Sequence, residues 1–395
     1  MAVASLDDLL AAPEGLRGQR VFVRADLNVP LANGRVADDT RIRASLPTVR
    51  KLCAAGARVI LASHLGRPKG QRKPELSLRP VAARLSELLE QPVAFADDCI
   101  GESAESTATA LGDGDVLLLE NLRFHAGETD NDPGFAHALA KLADVYINDA
   151  FGTAHRAHAS TVGMLKYVAR AAAGDLLRAE LENLKVVLAP ERPFLCLLGG
   201  AKVSDKAAVL LALAQRADVL AIGGAMAYTF LKAQGHATGN SLVEDERLED
   251  ARRVLRALQD TGNRLLLPVD HIVAESNEAG APTRTVKEIP DGWLGLDIGP
   301  DTVARFTAEI ARARTIFWNG PMGVFEIDAF ARGTEAVAHA VAESTATSVV
   351  GGGDSLAAVN RLGLASRITH LSTGGGASLE YVQGLTLPGV AALDR

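Results

Sequence analysis

The sequence predicts an α/β protein with two Rossmann-like, three-layer αβα domains, each built on a parallel sheet, joined by an interdomain helix. Its 395 residues exceed what one ordinary hydrophobic core accommodates. Hydrophobic residues make up 48% of the chain and aromatic residues only 4%, which is typical of the aliphatic cores of helix-covered parallel sheets. Short β-branched runs alternate with amphipathic stretches, as in repeated βαβ units.

The first series of elements occupies the N-terminal half. Four runs predict buried strands: VFVRAD, RVILAS, DVLLLEN and VYINDA. Between them, residues 41–56, 78–89 and 133–143 have helical periodicity. Because the connections alternate strand and helix, we expect these strands to form one parallel sheet.

A second series begins after residue 189. Its strands are predicted at PFLCLLGGA, VLAIGGA, RLLLPVDHIV, RTIFWNGP and SVVGGGD. Between the two series, residues 171–189 show an apolar stripe that includes Leu177, Leu181 and Leu184, which predicts one continuous helix. The expected division is therefore an N-terminal domain over 1–170, the interdomain helix over 171–189, a C-terminal domain over 190–376, and a terminal segment over 377–395.

Composition excludes several classes of protein. The formal net charge of −7 argues against non-specific nucleic-acid binding, which depends on a cationic face. Apolar stretches end before the roughly 20 residues needed to cross a bilayer, and the N-terminus lacks a signal pattern, so we expect a cytoplasmic protein without a membrane partner. Cys53, Cys99 and Cys196 lie far apart, which favours buried thiols over a disulfide or zinc site.

Glycine-rich turns in the C-terminal half predict a phosphate-binding site. In LLGGAKVSDK, Lys202 and Lys206 are predicted on one face of a helix start, where both could serve one polyphosphate; the alternative is two solvated lysines. In GGGDS, Asp354 could hold Mg²⁺ and Ser355 could bind phosphate, although Asp354 could equally be a simple helix cap. Glu326, after the turn FWNGPMGVFE, could bind ribose hydroxyls or be a surface side chain.

Arginine and histidine recur after the strands of the N-terminal half. Arginine suits bidentate recognition of carboxylate and phosphate, so convergence of several would form an anion site, whereas singly each would be a surface charge. The candidates are Asp26, Asn28, Arg41, His64, Arg67, Arg123, His155, Arg156 and His158.

Two common nucleotide motifs are missing from the sequence. Neither G-x-x-x-x-G-K-[ST] nor G-x-G-x-x-G occurs. This lowers the expectation of a P-loop NTPase or of an NAD-dependent dehydrogenase.

Nine segments resemble, in order and over nearly the whole chain, the signatures of the phosphoglycerate kinase family. They are VFVRADLNVPL, ASHLGRPKG, LLLENLRFH, INDAFGTAHRAHAST, LLGGAKVSDK, IGGAMAYTFLKAQG, FWNGPMGVFE, GGGDS and STGGGASLE. The resemblance implies ATP or ADP with Mg²⁺ as nucleotide, and 3-phosphoglycerate or 1,3-bisphosphoglycerate as the other substrate. It also implies a monomer and a C-terminal segment that folds back to the N-terminal domain.

The resemblance assigns roles to residues at matching positions. Substrate-binding positions are Asp26, Asn28, Arg41, His64, Leu65, Gly66, Arg67, Arg123 and Arg156. Nucleotide positions are Lys202, Lys206, Gly295, Asn319, Glu326, Gly352, Gly353, Asp354 and Ser355, with Asp354 as the magnesium ligand. Gly295 matches only through the glycines of WLGLDIGP, and Ser355 and Ala225 stand where the family commonly has Thr and Gly.

The implied reaction needs no general base, because the carboxylate acceptor is ionised at neutral pH. We expect Arg41 and Lys206 to be the catalytic cations and expect the domains to close about the interdomain helix. A dehydrogenase and a non-catalytic two-lobed binding protein are the alternatives. The first lacks its fingerprint, and the second has no use for a magnesium carboxylate beside paired lysines.

Overall fold

A computed structural model describes residues 3–394, which fall into two compact units. Unit 1 contains residues 3–182 and 386–394, and unit 2 contains residues 183–385. The strands are β1 Arg20–Ala25, β2 Leu31–Ala32, β3 Arg35–Val36, β4 Arg58–Ala62, β5 Val93–Ala96, β6 Val116–Leu119, β7 Val145–Asp149, β8 Arg170–Ala173, β9 Phe194–Leu198, β10 Val219–Ile222, β11 Arg264–Leu266, β12 His271–Ala274, β13 Arg284–Val286, β14 Leu294–Ile298, β15 Thr315–Asn319, β16 Thr347–Gly351 and β17 His370–Ser372.

The helices complete the βαβ connections. They are α1 Leu6–Ala11, α2 Thr40–Ala54, α3 Arg79–Leu89, α4 Gly101–Thr109, α5 Ala126–Thr129, α6 Pro133–Ala140, α7 Asp175–Leu188, α8 Ala207–Ala214, α9 Met226–Ala233, α10 Leu248–Thr261, α11 Pro300–Arg312, α12 Arg332–Glu343, α13 Gly353–Arg361, α14 Gly376–Val382 and α15 Pro388–Ala391. None of the helices within residues 3–394 is long and apolar enough to cross a bilayer.

The main sheet of unit 1 has six parallel strands in the order β5-β6-β4-β1-β7-β8. Its central strands are buried; Val21, Val59, Leu118 and Ile147 belong to their apolar core. In chain order, β4, β5 and β6 are added on one side of β1, whereas β7 and β8 are added on its other side. Ligands of open α/β sheets bind at such a switch point, beyond the carboxyl ends of the strands.

The main sheet of unit 2 also has six parallel strands, in the order β11-β10-β9-β15-β16-β17. This is the Rossmann strand order, with its switch point between β9 and β15. The predicted α/β class with two parallel sheets is therefore confirmed.

Unit 2 carries a second sheet that the sequence did not predict. The run RLLLPVDHIV is not one strand: β11 joins the parallel sheet, while β12 pairs antiparallel with β13 and β14. Pro268 lies between the two strands, and a residue without a backbone N–H suits such a break.

The prediction of one helix over 171–189 was wrong at its start. Residues 170–173 form β8, an edge strand that pairs with β7, and the N–H of Ala173 donates to the carbonyl of Ala4 at 2.8 Å. Helix α7 begins only at Asp175. Alanine has high helix propensity, but pairing with the sheet overrides it here.

The division into units differs at both ends from the expected boundaries. It falls inside α7, between residues 182 and 183, and the chain returns to unit 1 at Thr386 instead of at 377. Helix α14 thus remains with unit 2, where Arg216 Nη2 donates to the carbonyl of Gln383 at 3.1 Å. In unit 1, Asn148 Nδ2 donates to the carbonyl of Gly389 at 3.2 Å.

Candidate active site

Four adjacent strands of unit 1 end at the same edge of the sheet and bring the predicted polar residues together. Asp26 follows β1, His64 follows β4, Arg123 follows β6, and Arg156 lies beyond β7. Arg41 reaches this edge from α2, and its Nη1 donates to Asp26 Oδ2 at 2.9 Å. The other carboxylate oxygen of Asp26 is buried and has no hydrogen-bond partner among residues 3–394.

The loop after β4 is held by hydrogen bonds to its neighbours. The N–H of Gly66 donates to Asn28 Oδ1 at 2.9 Å, and Arg123 Nη1 donates to the carbonyl of Gly66 at 3.0 Å. Asn121 Nδ2 donates to the carbonyl of Leu65 at 2.8 Å. Gly66 has a φ of +61°, a conformation that favours glycine. Asn28, Leu65, Gly66 and Arg123 therefore form one connected loop cluster, and Asn121 is a member that the sequence analysis missed.

Arg123 provides unpaired hydrogen-bond donors inside this cluster. Its side chain is buried, and its Nε and Nη2 have no partner within the described part of the chain. Burial, followed by repulsion from Arg24 and Arg156, lowers the pKa of the guanidinium to about 10. Burying a cation with unpaired hydrogen-bond donors is energetically unfavourable unless an anion binds to it. This arrangement therefore indicates a binding site for an anion.

His64 is buried beside the same arginines. Burial lowers its pKa well below the ordinary value, and the charges of Arg24, Arg123 and Arg41 lower it further. The imidazole is therefore neutral at physiological pH.

The remaining predicted members lie at the margin of the cluster. Arg67 is exposed and forms no hydrogen bond or ion pair with any residue between 3 and 394. Arg156 is half-buried, and its Nε donates to His155 Nε2 at 3.1 Å. Burial and the neighbouring Arg156 lower the pKa of His155 to about 4. His158 instead faces a buried carboxylate, with its Nδ1 3.7 Å from Glu128 Oε1.

Sequence reasoning missed the most deeply buried arginine. Arg24 lies on β1 with no exposed surface, and its Nη2 is 3.2 Å from His64 Nδ1. A charged residue inside the apolar run VFVRAD was the available signal, because arginine is almost never fully buried unless it is paired.

In unit 2, the ends of β9 and β15 form a narrow glycine-lined turn. A Cβ atom on Gly199 would lie 2.0 Å from the carbonyl oxygen of Pro321, so no larger residue fits there. Asn319 is buried at the end of β15, and Ser355 Oγ accepts a hydrogen bond from the N–H of Gly320 at 2.6 Å. Ser355 is itself buried and ties the start of α13 to this turn.

The prediction that Lys202 and Lys206 share a helix face was wrong. Helix α8 begins at Ala207, and Lys206 is its N-cap residue. The preceding segment is a turn, since the N–H and Oγ of Ser204 both bond to the carboxylate of Glu244, at 3.1 and 2.6 Å. Lys202 is exposed in that turn and has no hydrogen-bond partner among the described residues.

Lys206 points into the glycine-lined turn. Its Nζ donates to the carbonyls of Gly199 at 2.7 Å and Asn319 at 2.9 Å. Burial lowers its pKa to about 8, against the opposing effect of Asp354 and Asp205. An ammonium held by neutral carbonyls keeps its positive charge available to a phosphate.

A cavity of about 510 Å³ opens beside this turn, within unit 2. It brings together Gly295, Glu326 and Asp354, which the sequence analysis had grouped. A Cβ atom on Gly295 would lie 2.3 Å from the ring of Tyr228, so glycine leaves room for the tyrosine beneath the cavity wall. The wall also contains residues that sequence analysis missed: Asn240, Leu242, Asn277, Leu294, Leu296, Pro321 and Val324.

The first turn of α13 supplies the candidate magnesium ligand. Gly352 is the N-cap residue, with a φ of +92°, and Asp354 therefore does not cap the helix. Asp354 is exposed at the cavity, and its carboxylate has no hydrogen-bond partner among residues 3–394. A free carboxylate next to a phosphate site suits a hard divalent cation such as Mg²⁺.

Asp98, Cys99 and His125 form another group with possible metal ligands, within 4.8 Å of one another. Here His125 Nε2 already bonds to Asp98 Oδ1 at 2.7 Å, and Arg72 lies 3.9 Å from the same carboxylate. Burial raises the pKa of the Cys99 thiol well above its ordinary value. We interpret the group as a structural hydrogen-bonded cluster.

Comparison with known proteins decides the family. The sequence profile described as "Phosphoglycerate kinase" matches residues 11–385. The chain belongs to the phosphoglycerate kinase family. The phosphoglycerate kinase of Rubrobacter xylanophilus is 61% identical over 96% of each chain, and that of Moorella thermoacetica is 56% identical over the whole of both chains.

Solved structures give the same result. The phosphoglycerate kinase of Coxiella burnetii superposes with a TM-score of 0.89 at 42% identity, over 100% of this chain and 99% of the other. That of Pyrococcus horikoshii gives 0.86 at 33% identity, over 99% and 98%. The comparisons support neither the dehydrogenase nor the non-catalytic binding protein.

Proposed function

We propose that this chain catalyses reversible phosphoryl transfer between ATP and the carboxylate of 3-phosphoglycerate, forming ADP and 1,3-bisphosphoglycerate. One observation carries the assignment of the acid to unit 1: Arg123 has buried, unpaired donors and lies near Arg24 and Arg156. Such a cluster binds a small, highly charged anion. Family membership identifies the anion by its chemistry as a phosphorylated acid.

The substrate-binding residues we propose are Asp26, Asn28, Arg41, His64, Leu65, Gly66, Arg67, Arg123 and Arg156. Arg67 is exposed and unpaired within residues 3–394, so it is free to reach the ligand. Asp26 orients Arg41 through their 2.9 Å contact. Asn28 binds indirectly, since its side-chain oxygen holds the Gly66 amide.

The nucleotide-binding residues we propose are Lys202, Lys206, Gly295, Asn319, Glu326, Gly352, Gly353, Asp354 and Ser355. The cavity bounded by Leu294, Leu296 and Val324 offers apolar walls for a base, and Glu326 offers a carboxylate for ribose hydroxyls. Amides of the glycine turns and Lys206 face the phosphates. Ser355 contributes mainly by holding Gly320 in place.

Mg²⁺, bound by Asp354 together with nucleotide oxygens, would neutralise phosphate charge when present. The protein residues then complete the charge balance around the transferring group. We propose that Arg41 of unit 1 and Lys206 of unit 2 are the catalytic cations, and that no side chain acts as general base because the acceptor carboxylate is already ionised.

Direct transfer requires the two bound substrates to become neighbours. We therefore propose that binding of both closes the units about α7, which also excludes water from the acyl phosphate. A monomer in the cytoplasm is our expectation for this activity; the relative from Triticum aestivum is named "Phosphoglycerate kinase, cytosolic" and is 54% identical.

A coupled assay with 3-phosphoglycerate, ATP and Mg²⁺ tests the proposal. We expect turnover with this acid, and we expect MgADP but not NAD to raise the melting temperature, because a ligand that binds only the folded state stabilises it. Absence of turnover by a folded chain that MgADP stabilises would reject 3-phosphoglycerate as substrate while retaining the nucleotide site.

A further inference from the structure

A chain of hydrogen bonds lies buried behind the anion site of unit 1. It connects Glu128, Ser160, Arg24 and His64, which come from α5, from the loop after β7, from β1 and from the loop after β4. Glu128, Ser160 and Arg24 have no exposed surface, and His64 retains only 4%. The first three residues therefore cannot contact a ligand directly, and the hydrogen-bonded route from them to the site ends at His64.

The direction of each hydrogen bond follows from the chemistry of its partners. Glu128 accepts from the N–H of Ser160 at 2.9 Å and from its hydroxyl at 2.6 Å. Burial would raise the pKa of Glu128, but His158, Arg24 and Ser160 outweigh burial and hold it below the ordinary value. Glu128 is thus an ionised acceptor, and the serine proton points towards it.

The orientation of the Ser160 hydroxyl group determines how Ser160 bonds to Arg24. Since the only hydroxyl proton is donated to Glu128, Ser160 Oγ presents a lone pair, which accepts from Arg24 Nε at 2.9 Å. Arg24 Nη1 donates to the carbonyl of Ala25 at 2.5 Å. These contacts anchor the guanidinium and leave Nη2 directed at the imidazole of His64.

Arg24 determines which ring nitrogen of His64 carries the proton. A guanidinium has donors only, so His64 Nδ1, 3.2 Å from Nη2, must be the acceptor. The single proton of the neutral imidazole is then on Nε2. That nitrogen has no hydrogen-bond partner among residues 3–394 and is free to donate to a ligand.

We propose that Arg24 is a positioning residue that holds His64 in the neutral Nε2–H tautomer, so that His64 donates one directed hydrogen bond to a carboxylate or phosphate oxygen of the substrate. Protonation at Nδ1 would place two N–H groups against each other, and the arginine therefore keeps the ring neutral. The cations that face His64 from other elements are Arg41 on α2, Arg123 after β6 and Arg156 after β7. Removing Arg24 leaves their charges but frees the Nδ1 lone pair.

Nitrogen-15 NMR of the histidine rings in the free, full-length chain tests the tautomer without any substrate. The His64 signals are identified by their loss in His64→Gln. We expect the Nε2–H pattern in the wild type, unchanged from pH 5.5 to 8. A protonated ring or the Nδ1–H pattern at pH 7 would overturn the proposal, and this measurement requires no change to Arg24.

Variants at β1 test the cause. Arg24→Met should yield mixed tautomers and a ring that titrates at higher pH than in the wild type, whereas Arg24→Lys, also a donor-only cation, should restore the Nε2–H form. Arg20→Met is the matched control, because Arg20 is on the same strand but pairs with Asp144; it should leave the His64 spectrum unchanged. An Arg24→Met chain that keeps the wild-type pattern at every pH would refute the role of Arg24.

The kinetic consequence rests on the proposed function. We expect Arg24→Met to raise the KM for 3-phosphoglycerate by up to about tenfold, the effect of losing one hydrogen bond completely, because only part of the ring population keeps the Nε2–H form. The ratio of variant to wild-type KM should also change with pH. A KM ratio that does not change with pH would contradict the proposal, since a purely structural effect of the substitution gives a constant ratio. The NMR result stands without activity, so failure of the assigned reaction remains distinguishable from failure of the tautomer.

Discussion

At the scale of single residues, the anion site combines arginines that repel one another with a histidine that is neutral. Arg123 retains unpaired donors in spite of its burial, and His64 is kept uncharged by burial and by the surrounding arginines. Arg41 differs from both, because it is partly exposed and is oriented by Asp26. These features suit the catalytic role proposed for Arg41.

Replacing Arg41 with Ala should lower kcat by about 10²- to 10³-fold, the usual effect of removing one group that stabilises the transition state. Steady-state kinetics at saturating substrate measures it. Arg43→Ala is a matched control on the same helix, since Arg43 pairs with Asp39 and belongs to no proposed site. A kcat close to the wild-type value in Arg41→Ala would rule out a catalytic role for Arg41.

Lys206 should impose an upper pH limit on nucleotide use. Its pKa is lowered to about 8, so the ammonium is charged below pH 8 and loses its charge above it. The kcat/KM for MgATP, which reports on the free enzyme, should therefore fall above about pH 8. In Lys206→Arg, any residual activity should lack this decline, because a guanidinium stays charged. A wild-type profile that is flat to pH 9.5 would contradict the assignment.

At the scale of elements, the start of α7 depends on a carboxylate from a distant strand. Asp149, at the end of β7, accepts from the N–H of Leu176 at 2.9 Å and of Leu177 at 3.3 Å. A Cβ atom on Gly174 would lie 2.2 Å from this carboxylate. Asp149 thus caps the helix in place of a local residue, and burial raises its pKa to about 7.

The buried carboxyl group makes the stability of unit 1 dependent on pH. Between about pH 4 and 7 the folded chain holds a proton on Asp149 that the unfolded chain releases, so the free energy of unfolding falls as pH rises through this range. Asp149→Asn keeps an acceptor for α7 but cannot ionise. Urea unfolding should show the variant gaining stability relative to the wild type from pH 5 to pH 8; an equal difference at both pH values would contradict this.

Some boundaries of these elements could be predicted from the sequence and others could not. The ends of the buried central strands were predictable, because a short apolar run followed by glycine or a polar residue marks them. The start of α7 was not, since its cap comes from Asp149 and its preceding alanines pair with β7. Likewise, Ser204 bonds to Glu244, forty residues away, and α8 begins only after Lys206.

At the scale of the whole molecule, residues 3–182 and 386–394 belong to the same unit. The C-terminal residues return to unit 1, where Leu387 and Leu393 are buried. The N–H of Gly389 donates to the carbonyl of Ala154 at 2.8 Å, two residues before Arg156. Residues 386–394 thus support the loop that carries Arg156, one of the proposed substrate-binding residues.

Ending the chain at Leu385 should destabilise unit 1 and raise the KM for 3-phosphoglycerate more than the KM for MgATP. The truncation removes two buried leucines, whose loss typically costs about 2–5 kcal/mol each. Thermal unfolding and steady-state kinetics measure both effects. Equal increases in the two KM values would show that the segment does not act through the Arg156 loop.

Binding of both substrates together should reduce the radius of gyration measured by small-angle scattering, since transfer requires them to meet. Each substrate alone is the control, and we expect a smaller change from it. An unchanged radius with both bound would count against closure.

The sequence by itself determined the α/β class and the family and supplied the candidate site residues, because periodicity and short motifs are local properties. Only the tertiary structure showed the antiparallel sheet of unit 2, the separation of Lys202 from Lys206, and the contact between Arg24 and His64. Each of these depends on contacts between residues far apart in the chain. In the sequence, a buried arginine is recognisable only as a charged residue inside an apolar strand. Its hydrogen-bond partners are determined by the strands and loops that the fold places beside it.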